Sequence, residues 1–228
     1  MWGGIFDDGM AMNLTAKNYH FIGIGGIGMS GLAELLVRQG YTVSGSDLAA
    51  NALTAKLQRL GVRIFRGHAA EQVNGAEVVI ISSELRAAMA KNVPILSRAQ
   101  MLAALMAEKK QIAVAGTHGK TTTTTMVAAV LQQGGLDPSV MVGGVVDTLG
   151  SNAVWGQGNV FVAEADESDG SLLAYDPHVA VVTNIDRDHL DHYRDLEHIQ
   201  EVFATFVQRI QPDGFLVACL DDPHLRAI

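Results

Sequence analysis

The sequence contains a single cysteine, Cys219, so no disulfide bond can form within the chain. Scarcity of cysteine is typical of a reducing compartment and favours a cytoplasmic protein. No apolar run approaches the ~20 residues that a membrane helix requires, which argues against membrane insertion. The opening segment, MWGGIFDDGMAM, has two acidic residues and no basic region, unlike a secretory signal. We expect residues 1–18 to form a disordered extension outside the fold.

Basic residues are also in the minority. The 228-residue chain has 16 Lys and Arg against 24 Asp and Glu, a formal net charge of −8. Binding to nucleic acid requires a basic surface, so the composition argues against it. Nucleotides are not excluded, because loop amides and helix N-termini can hold phosphate groups within an acidic protein. Small molecules are therefore the expected partners.

Short β-branched runs alternate with amphipathic stretches, a pattern typical of a parallel sheet covered by helices. The alternation starts near residue 19 and starts again at residue 111, each time with a strand, a glycine loop and a helix. We predict an α/β protein with a Rossmann-like domain over residues 19–108 and a P-loop-type domain over residues 109–228. The final run, FLVACLDDPHLRAI, stops in mid-pattern, so we expect the second domain to be incomplete and a C-terminal domain to be absent.

The first glycine loop has the form G-x-G-x-x-G, with Gly23, Gly25 and Gly28 between a strand and a helix. Such glycines allow a tight turn and let a diphosphate approach the helix N-terminus, and Asp47 at the end of the next strand could accept a hydrogen bond from a ribose. The pattern predicts a dinucleotide-like diphosphate ligand without naming the nucleotide, so an NAD-binding oxidoreductase stays open. The predicted contacts include the neighbouring Gly26, Ile27, Met29 and Ser30.

The second glycine loop, AVAGTHGKTTTTT, also follows a strand and opens a helix. Its amides could cradle a triphosphate, while the Lys120 ammonium neutralises charge and the Thr121 hydroxyl binds Mg²⁺. Val114 stands where the common G-x-x-x-x-G-K-[ST] motif has its first glycine, which favours a shorter variant of that loop. The predicted ATP contacts are Gly116, Thr117, His118, Gly119, Lys120, Thr121 and Thr122.

An acidic residue and a histidine complete the predicted metal site. Glu164 ends an apolar strand, where open α/β sheets place ligand groups, and its carboxylate could bind Mg²⁺ opposite Thr121. His189 lies in the acidic segment DRDHLDH, for which a solvated surface loop is the alternative. A zinc site is disfavoured, because the chain has one cysteine and no H-x-x-x-H helix.

Four segments resemble the Mur ligase family in the expected order: GIGGIGMSGLA, AGTHGKTTTT, EADESDGSLL and TNIDRDHLDHY. The resemblance is strongest to the members that join the carboxylate of UDP-N-acetylmuramate to L-alanine. A tripeptide-adding recycling relative is the alternative within the family. The resemblance implies an ATP-dependent ligase of peptidoglycan synthesis that uses Mg²⁺ and forms the amide through an acyl phosphate.

The resemblance also implies roles for individual residues. Glu164 would be shared by two Mg²⁺ ions, with His189 on the second, and together with Lys120 these would be the catalytic residues. Asn184 would belong to the ATP site. The remaining implied substrate contacts are Ser82 and Ser83 for the uridine nucleotide, and Glu167, Ser168 and Asp169 for the muramoyl group. We assign no role to His192.

Overall fold

The computed structural model describes residues 15–82, 93–146, 150–167, 171–188 and 193–228. The first of its two sheets has five parallel strands in the order β3-β2-β1-β4-β5. Helices α1, α2 and α3 belong to this part of the chain. The bounds are β1 Asn18–Ile22, α1 Ile27–Arg38, β2 Thr42–Asp47, α2 Ala52–Arg59, β3 Arg63–Arg66, β4 Val78–Ile81, β5 Ile95–Ser97 and α3 Arg98–Met106.

The second sheet has six strands in the order β11-β10-β6-β9-β7-β8. Every pair is parallel except β7 and β8, which form an antiparallel pair at one edge. The bounds are β6 Lys110–Ala115, α4 Lys120–Gln133, β7 Ser139–Val146, β8 Ser151–Val154, β9 Val160–Glu164, β10 Val179–Val182, α5 Leu196–Gln208 and β11 Phe215–Ala218. Short 3₁₀ helices lie at Ala70–Val73, Ser171–Ala174 and Leu225–Ala227.

The predicted α/β class is confirmed, and both strand–glycine loop–helix units are present. Buried apolar runs form the central strands, because a parallel sheet covered on both faces requires hydrophobic residues throughout. The pair β7–β8 was not predicted. Its longer strand contains Gly143 and Gly144, and glycine is unfavourable in strands, so the local sequence gives a weak signal there.

The two sheets share one hydrophobic core. Leu32 and Leu35 of α1 belong to the same buried cluster as Met141 of β7 and Phe161 of β9. The absence of a side chain at Gly31 permits the close contact, since a Cβ atom there would lie 2.6 Å from Asn152 Nδ2 and 2.8 Å from Met141 Cε. Helix α1 therefore packs directly against the β7–β8 pair.

A buried ionic network reinforces this contact. The Glu34 carboxylate is 2% exposed and accepts hydrogen bonds from Arg38 Nη2 at 2.8 Å and Ser151 Oγ at 3.0 Å, and it pairs with Lys56 Nζ at 2.8 Å. Burial alone would raise the pKa of Glu34, but the hydrogen bonds from Lys56 and Arg38 outweigh it and hold the pKa below its ordinary value. The network joins α1, α2 and β8.

None of the helices in the described part of the chain has the length and hydropathy of a membrane span.

Candidate functional site

The second glycine loop leads from β6 into α4 and leaves the first amides of that helix available. Gly116 and Gly119 adopt positive φ angles of 127° and 84°, a region that favours glycine. Gly119 is the N-cap of α4 and has no side chain to accept hydrogen bonds from the first turn. Those amides and the helix dipole therefore favour an anion at this position.

Lys120 folds back across this loop. Its ammonium donates to the carbonyl oxygens of Gly116 at 2.7 Å and Thr117 at 3.2 Å, and to Glu167 Oε1 at 2.9 Å. Glu167 is 2% exposed, and burial raises its pKa although the bonded Lys120 opposes that change. The lysine thus stands at the loop with its charge balanced by a buried carboxylate.

Thr121 and Glu164 meet at the mouth of the loop. Thr121 Oγ1 donates to Glu164 Oε2 at 2.9 Å, and the backbone amide of Gly143 donates to the same oxygen at 2.8 Å. Glu164 occupies this place because it ends β9 in register with Val114 of the neighbouring β6. A cavity of about 370 Å³ here is lined by Thr117, His118, Gly119, Lys120, Thr121, Thr122 and Glu164.

The cavity suits a magnesium nucleotide. Mg²⁺ prefers hard oxygen ligands such as carboxylate and hydroxyl groups, and Glu164 and Thr121 supply one of each. Phosphate oxygens require amide and ammonium donors, which the first turn of α4 and Lys120 provide. Among the residues the structure describes, no group of three or more His, Cys, Asp or Glu side chains could hold a metal ion.

Asn184 holds the backbone of the loop. Its Oδ1 accepts from the amide of His118 at 2.9 Å, and its Nδ2 donates to the His118 carbonyl at 3.0 Å. The same carbonyl accepts from Thr183 Oγ1 at 2.7 Å. His118 itself is 62% exposed, with Nε2 3.6 Å from Asp186 Oδ2. The Asn184 side chain thus fixes the backbone of the second glycine loop at His118.

The first glycine loop is ordered by two side chains. Asp47 Oδ2 accepts from the amide of Gly25 at 2.7 Å, and Asn51 Nδ2 donates to the Gly25 carbonyl at 3.0 Å. A Cβ atom at Gly25 would lie 2.8 Å from Asp47 Oδ2, so glycine is required for this contact. Asp47 therefore shapes the loop, a contribution that the sequence analysis did not include.

The other predicted contacts of this loop differ in exposure. Gly26 is the N-cap of α1, and Ile27 is 45% exposed. Met29 and Ser30 are buried, and Ser30 Oγ donates to the Ile27 carbonyl at 2.9 Å. Neither side chain is therefore accessible to a ligand in this structure, and the Ser30 amide already donates to the Gly26 carbonyl at 2.8 Å.

Comparison with known protein families covers nearly all of the chain. The model described as "Mur ligase family, catalytic domain" matches residues 18–110, and the Mur ligase middle domain matches residues 114–228. The chain belongs to the Mur ligase family.

Curated relatives in this family include two named UDP-N-acetylmuramate–L-alanine ligase. The one from Acidobacterium capsulatum is 54% identical over 224 residues, covering 95% of this chain and 49% of the relative. The one from a Geobacter species is 55% identical over 216 residues, covering 92% of this chain and 47% of the relative. The chain spans about half the length of the curated relatives it matches.

Solved structures of Mur ligases share the fold. The UDP-N-acetylmuramate:L-alanyl-γ-D-glutamyl-meso-diaminopimelate ligase from Neisseria meningitides superposes with a TM-score of 0.82 at 32% identity, over 92% of this chain and 74% of that one. The UDP-N-acetylmuramate–alanine ligase from Thermotoga maritima superposes with a TM-score of 0.81 at 35% identity, over 91% of this chain and 50% of that one.

The predicted site residues of this Mur ligase chain differ in where the structure places them. The structure brings Lys120, Thr121 and Glu164 together around the second loop, with Asn184 behind it. Ser82 directly follows β4 and is partly buried. Glu167 pairs with Lys120, which was not predicted. Four predicted site residues lie outside the described residues: Ser83, Ser168, Asp169 and His189. His192 also lies outside them.

Sequence reasoning also missed Gly143 and Arg98. Gly143 contributes an amide to Glu164, although the two residues are 21 positions apart. Arg98 lies against the first loop, since a Cβ atom at Gly28 would be 2.8 Å from Arg98 Cδ. Neither residue belongs to a motif, so only the three-dimensional fold identifies them.

Proposed function

We propose that this chain is part of an ATP-dependent ligase that joins the carboxylate of UDP-N-acetylmuramate to L-alanine. In the proposed reaction the carboxylate attacks the γ-phosphate of ATP, giving an acyl phosphate and ADP. The amine of L-alanine then attacks the acyl carbon and displaces phosphate, which leaves the amide. We further propose that residues 19–108 bind the nucleotide sugar and residues 109–228 bind ATP.

The observation that carries this proposal is the pairing of Thr121 with Glu164 beside Lys120 at the N-terminus of α4. Phosphoryl transfer needs positioning and charge neutralisation more than covalent chemistry, and these groups supply both. Thr121 and Glu164 would hold Mg²⁺, which when bound offsets the negative charge of the phosphates. Lys120 would leave Glu167 for a phosphate oxygen. His189 stays a proposed second metal ligand.

The names of the relatives support the choice of substrates. The curated relatives at about half identity act, by name, on UDP-N-acetylmuramate and L-alanine. A second candidate is the tripeptide-adding reaction, because one of the solved proteins with the same fold is named as a ligase of UDP-N-acetylmuramate and L-alanyl-γ-D-glutamyl-meso-diaminopimelate. The curated alanine ligases are 49–55% identical to this chain and the solved one is 35% identical, against 32% for the tripeptide ligase, so L-alanine is the preferred amine.

The change Lys120→Ala tests the ATP site. We expect the variant to lose Mg·ATP binding in calorimetry while it binds UDP-N-acetylmuramate as the wild type does, because the two ligands use separate glycine loops. Lys110→Ala is the matched control, since Lys110 is an exposed lysine on the neighbouring β6. Normal ATP binding by Lys120→Ala would refute the assignment of the second loop.

Measuring phosphate release shows which amine the ligase prefers as substrate. We expect the full-length gene product to release phosphate from ATP and UDP-N-acetylmuramate faster with L-alanine than with the tripeptide. Preference for the tripeptide would establish the second candidate instead.

A further inference from the structure

Arg98 lies across the backbone of the first glycine loop. It is the first residue of α3, and Ser97 before it caps that helix by accepting from the amide of Gln100 at 3.2 Å. A Cβ atom at Gly28 would lie 2.8 Å from Arg98 Cδ, 3.4 Å from Nη1 and 3.5 Å from Nε. The guanidinium group is therefore held close to the N-terminal turn of α1.

The same side chain reaches toward the second sheet. Arg98 Nη2 is 3.9 Å from Oδ2 of Asp166, which follows Glu164 by two residues. The Arg98 side chain is 24% exposed and that of Asp166 is 39% exposed. A partly exposed pair at this distance contributes little to stability by itself.

A positive charge beside the first glycine loop would strengthen its hold on a diphosphate. Residues 23–30, GIGGIGMS, contain no charged side chain. The N-terminus of α1 supplies only the equivalent of roughly half an elementary charge. A guanidinium group suits phosphate because its planar array of donors can contact two oxygens at once. Arg98 has the chemistry and the position for that contact.

We propose that Arg98 binds the diphosphate of the nucleotide sugar at the first glycine loop. In the bound state the phosphate oxygens replace Asp166 as the partner of Nη2. This inference rests on the proposed function for the identity of the ligand, and it adds a residue outside the glycine motif to that site.

Calorimetry with a graded series of ligands tests the proposal. We expect Arg98→Ala to weaken binding of UDP and UDP-N-acetylmuramate by about 10- to 100-fold, as the loss of a charged hydrogen bond does. Uridine, which has no phosphate, should bind both proteins equally, and Mg·ATP affinity should not change. The affinity of Arg98→Lys for these ligands should lie between those of the wild type and Arg98→Ala, because lysine keeps the charge but cannot contact two oxygens at once. Arg59→Ala, which removes an exposed arginine of α2, is the control.

The ligand series also separates the possible failures. Equal binding of UDP by wild type and Arg98→Ala would overturn the inference and leave the proposed function standing. A loss confined to UDP-N-acetylmuramate, with UDP-N-acetylglucosamine unaffected, would place Arg98 at the lactyl carboxylate and overturn the diphosphate assignment. If the wild type binds no uridine nucleotide, the proposed function fails and this inference with it. Should Arg98→Ala not fold, Arg98→Lys carries the same comparison.

Discussion

Replacing Gly143 by alanine should displace Glu164 without removing it. A Cβ atom at Gly143 would lie 3.0 Å from Glu164 Oε1 and 3.2 Å from both Cδ and Oε2, whereas ordinary contacts begin at 3.4 Å. The carboxylate must therefore move by a few tenths of an ångström. Such a movement lengthens the hydrogen bonds that it accepts from Thr121 Oγ1 at 2.9 Å and from the Gly143 amide at 2.8 Å.

The expected loss follows from those two hydrogen bonds. A hydrogen bond to a charged group contributes about 1.5–3 kcal/mol, and weakening both without breaking them should cost about 1–2 kcal/mol. The displaced carboxylate must return to its position to bind the metal, and this cost corresponds to about a 5- to 30-fold loss in the affinity for Mg·ATP. Glu164→Ala removes the metal-binding carboxylate altogether, so it should lower the affinity for Mg·ATP further. Excess Mg²⁺ should restore that affinity only in part.

Gly144 offers a matched control on the same strand. A Cβ atom there would meet no atom within 4 Å, so Gly144→Ala adds the same methyl group without touching Glu164. The measurement is calorimetric titration of ATP with Mg²⁺ and with a chelator. The predicted order of affinity is wild type equal to Gly144→Ala, then Gly143→Ala, then Glu164→Ala. Wild-type affinity in Gly143→Ala would refute the placement of the metal at Glu164. An equal loss of affinity in Gly143→Ala and Gly144→Ala would refute it as well.

Two further changes test stability by urea unfolding. Glu34→Gln should lower the free energy of unfolding by about 1–3 kcal/mol at neutral pH, less than for a fully buried pair because Lys56 is 31% exposed. The folded-state pKa of Glu34 is depressed below its ordinary value of 4.5. The stabilisation is therefore complete above pH 4.5 and is lost as the pH falls through the folded-state pKa. A difference in unfolding free energy between wild type and Glu34→Gln that does not change with pH would contradict this reasoning. Gly116→Ala should cost about 2–4 kcal/mol, because its Cβ atom would overlap Thr183 Oγ1 at a positive φ. Gly119→Ala should cost only about 1 kcal/mol, since its φ is positive but no atom lies within 4 Å, and equal costs would refute the steric argument.

The elements that the sequence predicted are those with a local signal. The strand and the helix expected on either side of the second glycine loop are β6, Lys110–Ala115, and α4, Lys120–Gln133. Both are marked by a hydrophobic run, a glycine loop and a terminal glycine within a short stretch of chain. The glycine loops themselves were found for the same reason.

The contacts that the sequence did not predict join distant residues. Lys120 pairs with Glu167 across 47 positions, and Glu34 bonds to Ser151 across 117 positions. No periodicity or motif encodes such pairs, because they depend on how elements far apart in the chain pack together. The sequence predicted Glu167 as a substrate contact, which stays a prediction, and only the structure shows its pair with Lys120.

The unpredicted pair β7–β8 connects the two candidate sites physically. Asn152 of β8 is 2% exposed, and its Nδ2 donates to the Ile27 carbonyl at 2.6 Å, in the first turn of α1. On β7, the amide of Gly143 holds Glu164 at the second loop. Neither Asn152 nor Gly143 belongs to a glycine motif, yet together they fix the first loop and the carboxylate to one edge of the second sheet. A reaction between a ligand on one loop and a ligand on the other requires such a fixed spacing, because effective concentration falls steeply when reacting groups are misplaced.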